Sequence, residues 1–116
     1  SLTHKSKSWI ANKSFTTPGV LCREGILIAI TTDSPVVPQE YLPLCAALAM
    51  KDGLPEEEAL KAITINPAKI LGLEKRIGSI EEGKDGDIII CDSSLLDIQN
   101  VIRYTIINGE IAYQKA

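Results

Sequence analysis

The feature that most restricts the fold of this chain is the run Gly25-Ile26-Leu27-Ile28-Ala29-Ile30-Thr31-Thr32-Asp33-Ser34-Pro35. A glycine turn opens it, an apolar stretch follows, and two threonines lead to a carboxylate. Pro35 then prevents a central strand from continuing. A continuous apolar run of this length suits a strand covered on both faces, as parallel sheets require. Asp33 then stands where the strand ends. In barrels of parallel strands the C-terminal ends carry the chemistry and the N-terminal ends carry stability. Asp33 is therefore the first candidate functional residue. The competing reading is a turn aspartate, since Asp is favoured where a chain reverses before proline.

Length and charge narrow the alternatives. The 116 residues suit one domain and are enough to bury a core. A hydrophobic fraction of 45% and a charged fraction of 23% are ordinary for a soluble globular chain. The net charge of −3 offers nucleic acid no general attraction. Its distribution is uneven: Lys5, Lys7, Lys13 and Arg23 against Glu24 make the first 25 residues net +3, which leaves −6 for the rest. Such a basic leader reads as a solvated loop before it reads as a phosphate contact. No apolar run approaches the roughly 20 residues of a membrane helix. The polar start lacks the apolar core of a signal peptide. Neither nucleic acid nor membrane is an expected partner. Cys22, Cys45 and Cys91 form no C-x-x-C pair and read as free thiols in a reducing cytoplasm. With His4 as the single histidine, they do not make a zinc site of usual spacing.

Along the chain, residues 1–14 are polar and lack periodicity, with Trp9-Ile10 as the apolar anchor. Thr17 as cap and Pro18 at the first helical position predict a short helix to Glu24, stopped by Gly25. A helix from Gln39 to Lys51 follows the strand; it is apolar nearly all round, so it expects contacts on several sides. Pro55 at a first helical position and Glu56, Glu57 and Glu58 at the positive end of the dipole predict a third helix. The three glutamates are explained by that dipole rather than by an acidic site. Asn66-Pro67 reads as the cap of a fourth helix, Ala68 to Leu71, closed by Gly72. Beyond Ile77 the period changes. Asp87 to Asp92 reads as a strand, and Val101–Ile107 with Asn108-Gly109 and Glu110–Tyr113 reads as a hairpin. One strand suited to a parallel sheet has no parallel partner in this order. Alone it would offer unpaired N–H and C=O groups to other chains, so the pattern suggests a piece of something larger.

Four segments resemble the C-terminal part of the metal-dependent amidohydrolases, near their imidazolonepropionase-like group. They are Ala29 to Pro35, Ala59 to Ala68, Gly72-Leu73 with Ile77 to Ile88, and Val101 to Gly109. The third is the most specific: a G-S-I-E-x-G-K-x-A-D run after an N-P-A-K-x-L-G helix. The resemblance spans Ile26 to Tyr113, and Leu2 to Lys7 is similar to the segment after barrel strand seven. Two positions depart from the pattern. Gly86 stands in place of alanine, which should only loosen a turn, and Ser34 stands where close relatives often carry histidine.

The resemblance implies an α/β fold, a C-terminal fragment of a (β/α)8 TIM barrel plus the C-terminal part of a small β-sandwich. Residues 1–76 would hold the last barrel strand and its helices, and residues 77–116 the sandwich strands. A whole barrel takes about 250 residues, so strands one to seven would lie outside this chain. It further implies a hydrolase of C–N bonds that uses one or two divalent metal ions, zinc, iron or manganese. Asp33 matches the strand-eight carboxylate that binds metal and moves the water proton, a role for which a carboxylate within hydrogen-bond reach is competent. The partner would be a small-molecule substrate, and His4 could line its entrance. Zinc sites want three or four protein ligands, so this piece alone is expected to be inactive and to hold no metal. It should self-associate or swap through its exposed strand edge. Two alternatives stand beside this reading: a non-catalytic interaction module built on the same tail, and a deaminase or deacetylase of the same superfamily.

Overall fold

The computed structural model describes residues 16–116. Four α-helices come first: α1 (Thr17–Arg23), α2 (Leu42–Lys51), α3 (Glu56–Ala62) and α4 (Ile65–Ile70). A 3-10 turn, Gln39–Tyr41, leads into α2. Three strands follow: β1 (Ile88–Cys91), β2 (Ile102–Ile107) and β3 (Glu110–Gln114). They form one antiparallel sheet in the order β1-β2-β3.

The helices end where glycine allows it. The Gly25 and Ile26 N–H groups donate to Cys22 and Leu21, those of Gly53 and Leu54 to Met50 and Ala49, and those of Gly72 and Leu73 to Lys69 and Ala68. This paired return satisfies carbonyls that each last turn would leave bare. Gly72 adopts the left-handed φ of 74° that the motif needs.

The helical core is built from small side chains. Ala46, Ala49, Leu54, Ala59 and Leu96 form its buried centre, and Ile28, Ile30, Met50, Leu60 and Ile63 pack around it. Leu54, 1% exposed, joins α2 to α3 and is its largest fully buried side chain. Every residue of α2 from Leu42 to Met50 is buried or half-buried, as its all-round apolar composition predicts. The acidic start of α3 is also structural. Glu57 and Glu58 lie 3.6 and 3.5 Å from Lys61, and Ser94 Oγ donates to Glu56 at 2.8 Å.

Three expectations need correction. The run over Ile26–Ile30, expected to be covered on both faces, is covered on one; no strand lies beside it among the described residues, as its lack of a parallel partner implied. Its backbone groups meet helical partners instead. The Ile30 N–H donates to Ala62 O at 2.9 Å, and Asn66 Nδ2 donates to Ile28 O at 3.0 Å. Period-two burial survives: Ile28 and Ile30 face the core, while Ile26, Leu27 and Ala29 are exposed. One face is covered, not two. Secondly, Asn66 does not cap a helix starting at Ala68. The helix starts at Ile65, Thr64 is its N-cap without a side-chain bond, and Asn66 lies inside the first turn. Pro67 is tolerated there because first-turn N–H groups have no intrahelical acceptor. Thirdly, Gly86 does more than loosen a turn. A Cβ on it would come within 2.9 Å of Gly109 N, and the Gly109 N–H donates to Gly86 O at 2.9 Å.

The hairpin forms as its turn predicts. Ile107 pairs with Glu110, and Asn108 and Gly109 have φ values of 53° and 78°. Two positive values are what a two-residue turn needs to match strand twist. The Asn108 N–H is also held by Asp87 Oδ1 at 2.9 Å. β3 is exposed along its whole length.

Candidate functional site

Asp33 sits where the apolar run ends, and the chain folds tightly around it. Thr32 is buried, with 4% of its surface exposed, and its carbonyl accepts from the Val37 N–H at 3.3 Å. The Asp33 carbonyl accepts from the Val36 N–H at 2.9 Å. The Asp33 N–H donates to Thr31 Oγ1 at 3.2 Å. These bonds close a turn whose tip is Asp33, with φ of 53°. Aspartate tolerates this left-handed conformation better than most residues, yet it remains uncommon. The Ser34–Pro35 peptide is cis. Val37, 2% exposed, anchors the far side of the turn. The result is an exposed carboxylate on a backbone fixed from both sides, with no ion-pair partner among the described residues.

An exposed carboxylate is a suitable oxygen donor for a divalent cation. One donor does not make a site. Among the described residues no group of three His, Cys, Asp or Glu could hold a metal ion. The described residues therefore do not by themselves fit a metal centre. His4, expected at the substrate entrance, lies outside the described residues. Sequence reasoning placed Asp33 at its turn but missed the Thr31 hydroxyl that bonds its N–H, and the Asn66 amide that bonds Ile28 earlier in the same segment. Thr31 was legible as a residue able to bond the backbone two positions on. Asn66 carried a misleading signal, since Asn before Pro reads as a cap.

Two other features stand apart from Asp33. Ser79, Glu81 and Lys84 form a closed polar set. Lys84 Nζ lies 2.6 Å from Ser79 Oγ and 2.8 Å from Glu81, and Ser79 Oγ also bonds Glu81. These bonds hold the Glu81 carboxyl below the usual range, Lys84 first and Ser79 second. The Lys84 ammonium is engaged by a carboxylate, so it is not a free base able to activate Ser79. The set fastens the turn before β1. A groove of about 300 Å³ lies between α2 and the loop ahead of β2, lined by Leu44, Ala47, Leu96, Ile98 and Ile102, with Glu40 and Asp97. Asp33 is not among its walls. The three cysteines are free, and burial pushes the Cys45 thiol up. No helix among the described residues is long and apolar enough to cross a membrane.

Comparison with known proteins accounts for this arrangement. The profile of the amidohydrolase family matches residues 2–112. An imidazolonepropionase from Thermoplasma acidophilum is 34% identical over 99 residues, covering 78% of this chain and 24% of that protein. An N-acetylglucosamine-6-phosphate deacetylase from Bos taurus is 42% identical over 62 residues, covering 53% of this chain and 14% of that protein. The crystal structure of an amidohydrolase from Thermotoga maritima superposes with a TM-score of 0.92 at 41% identity, over 98% of this chain and 30% of that one. The chain thus spans a quarter or less of these curated relatives and about a third of the solved structure. A family profile that covers nearly the whole chain, with relatives of which it spans only a part, shows that the chain belongs to the amidohydrolase family.

Proposed function

We propose that this chain forms the C-terminal part of a metal-dependent hydrolase of carbon–nitrogen bonds, with Asp33 as its catalytic carboxylate and a metal ligand. The observation that carries the reading is the presentation of Asp33: exposed, left-handed, and tied down at Thr31, Thr32 and Val37. Strain of this kind persists where the surroundings over-determine it, and such places cluster at active sites. The site is completed by residues beyond those described, with His4 a candidate at the substrate entrance. A bound zinc, iron or manganese ion would supply an acidified water. Asp33 would accept a proton at a carboxylate oxygen and return it to the departing nitrogen. Its fixed backbone means that little reorganisation is needed to do so. The rest of the chain supplies support: α3 and α4 hold the segment that ends at Asp33, and the sheet packs apart from it.

Cyclic amides and amidines are the first substrate class, in line with the similarity to imidazolonepropionase. A second class, N-acetylated amino sugars, is favoured by the 42% identity to a deacetylase. The test is a hydrolysis assay of the complete gene product, loaded in turn with zinc, iron and manganese, on panels of both classes. Turnover that falls about 10²- to 10⁴-fold in Asp33→Asn supports the assignment. Unchanged turnover in that variant refutes it.

A further inference from the structure

We propose that Asn66 is a positioning residue for Asp33, acting through the backbone of Ile28. Asn66 lies 38 residues from Ile28 in sequence, and its side-chain amide spans to the Ile28 carbonyl at 3.0 Å. It is only 5% exposed. Among the described residues, it is the one side chain from outside residues 25–37 that bonds this segment. A buried amide that found no partner would be costly, so the bond is specified by burial as well as by geometry.

The bond has a neighbour that sharpens its effect. Two residues on, the Ile30 N–H donates to Ala62 O at 2.9 Å. Ala62 ends α3, and Asn66 lies in the first turn of α4. The α3–α4 joint therefore grips the segment at two successive points on one side. Beyond Ile30 the remaining ties are local: Thr31 Oγ1 to the Asp33 N–H, and Thr32 O to the Val37 N–H. The local ties shape the turn around Asp33. The grip at Ile28 and Ile30 decides where that turn sits relative to the helices. Of these two ties, the Asn66 amide is the one that a side-chain substitution can remove.

That Asp33 serves catalysis rests on the reading above; that Asn66 places it does not. The test is residue-resolved amide hydrogen exchange, read by mass spectrometry on the complete gene product, comparing wild type with Asn66→Ala, Asn66→Asp and Ala49→Gly. Asn66→Asp keeps the shape but replaces the donor with an acceptor facing the Ile28 carbonyl. Ala49→Gly weakens the same core cluster from α2 but leaves the Asn66–Ile28 bond in place. We expect the Ile30 and Asp33 amides to exchange at least tenfold faster in both Asn66 variants, with α2 and the hairpin unchanged, and the reverse pattern in Ala49→Gly. An equal rise across all elements, including outright unfolding, would make Asn66 an ordinary core residue and overturn the proposal. So would unchanged exchange at Ile30 and Asp33. In the complete gene product, Asn66→Asp should then lower kcat more than it raises KM. A positive exchange result with no turnover in any variant would refute the hydrolase reading and leave the positioning intact.

Discussion

Asp33 holds a conformation that glycine would adopt with less strain. A left-handed residue with a Cβ costs about 1–2 kcal/mol, and aspartate recovers part of this. Asp33→Gly should therefore raise stability by about 1 kcal/mol in urea unfolding, while the same change abolishes turnover in the complete gene product. Opposite signs for stability and activity mark a residue retained for chemistry. Gly78 is the converse case. Its φ is 98°, and a Cβ there would meet Ala68 Cβ at 2.9 Å and Ile65 Cα at 3.0 Å. Gly78→Ala should cost about 1–3 kcal/mol in the same measurement. At this scale the sequence was readable where a residue's own chemistry decides its place. Asp33 before a proline and Asn108 before a glycine are examples. It was opaque where a distant partner decides. Nothing local to Asn66 announces Ile28, and nothing local to Gly86 announces Gly109.

The helices were readable where their punctuation is local: Pro18 and Pro55 near two starts, and Gly25, Gly53 and Gly72 at the ends; the second helix, expected from Gln39, begins at Leu42 after a 3-10 turn. The apolar run was read as a strand because composition reports burial, not pairing; whether a ladder forms depends on neighbours. The sheet elements carry their own electrostatic ties. Arg103 makes a bidentate bond to Asp92 across the β1–β2 end, with contacts of 2.7 to 3.0 Å. It holds the Asp92 carboxyl below its ordinary range. Glu81 is lowered in the same direction by Lys84 and Ser79. A carboxylate whose folded pKa is depressed binds fewer protons folded than unfolded. Its stabilisation is complete above the unfolded value, about 4, and is lost as pH falls toward the folded one. The chain should therefore lose stability between about pH 5 and pH 2. Arg103→Leu and Lys84→Met should each flatten that slope in urea titrations taken at successive pH values. The Arg103–Asp92 pair is exposed enough for salt to screen it, so added salt should shrink the effect of Arg103→Leu, and less so that of Lys84→Met, since the Lys84 side chain is only 11% exposed.

At the scale of the molecule, the chain leaves much apolar surface open. Ile26 and Leu27 are about half exposed, and Val36, Ile107, Ile111 and Tyr113 are similarly open. Residues 25–32 carry no charge that would discourage edge pairing. We expect the isolated chain to associate with itself through this segment at micromolar concentrations. Light scattering after size exclusion should show mass rising with concentration, and Leu27→Lys should return the chain to monomer. A strictly monomeric wild type would favour the reading as a self-contained interaction module.

Leu54 gives this arrangement its stiffness. One side chain closes α2, opens the approach to α3, and meets the cluster on which Ile28 rests. Trimming it to alanine would do more than leave a hole. Ile28 and Ile30, seated on the same cluster, would lose part of the bed beneath the segment that leads to Asp33.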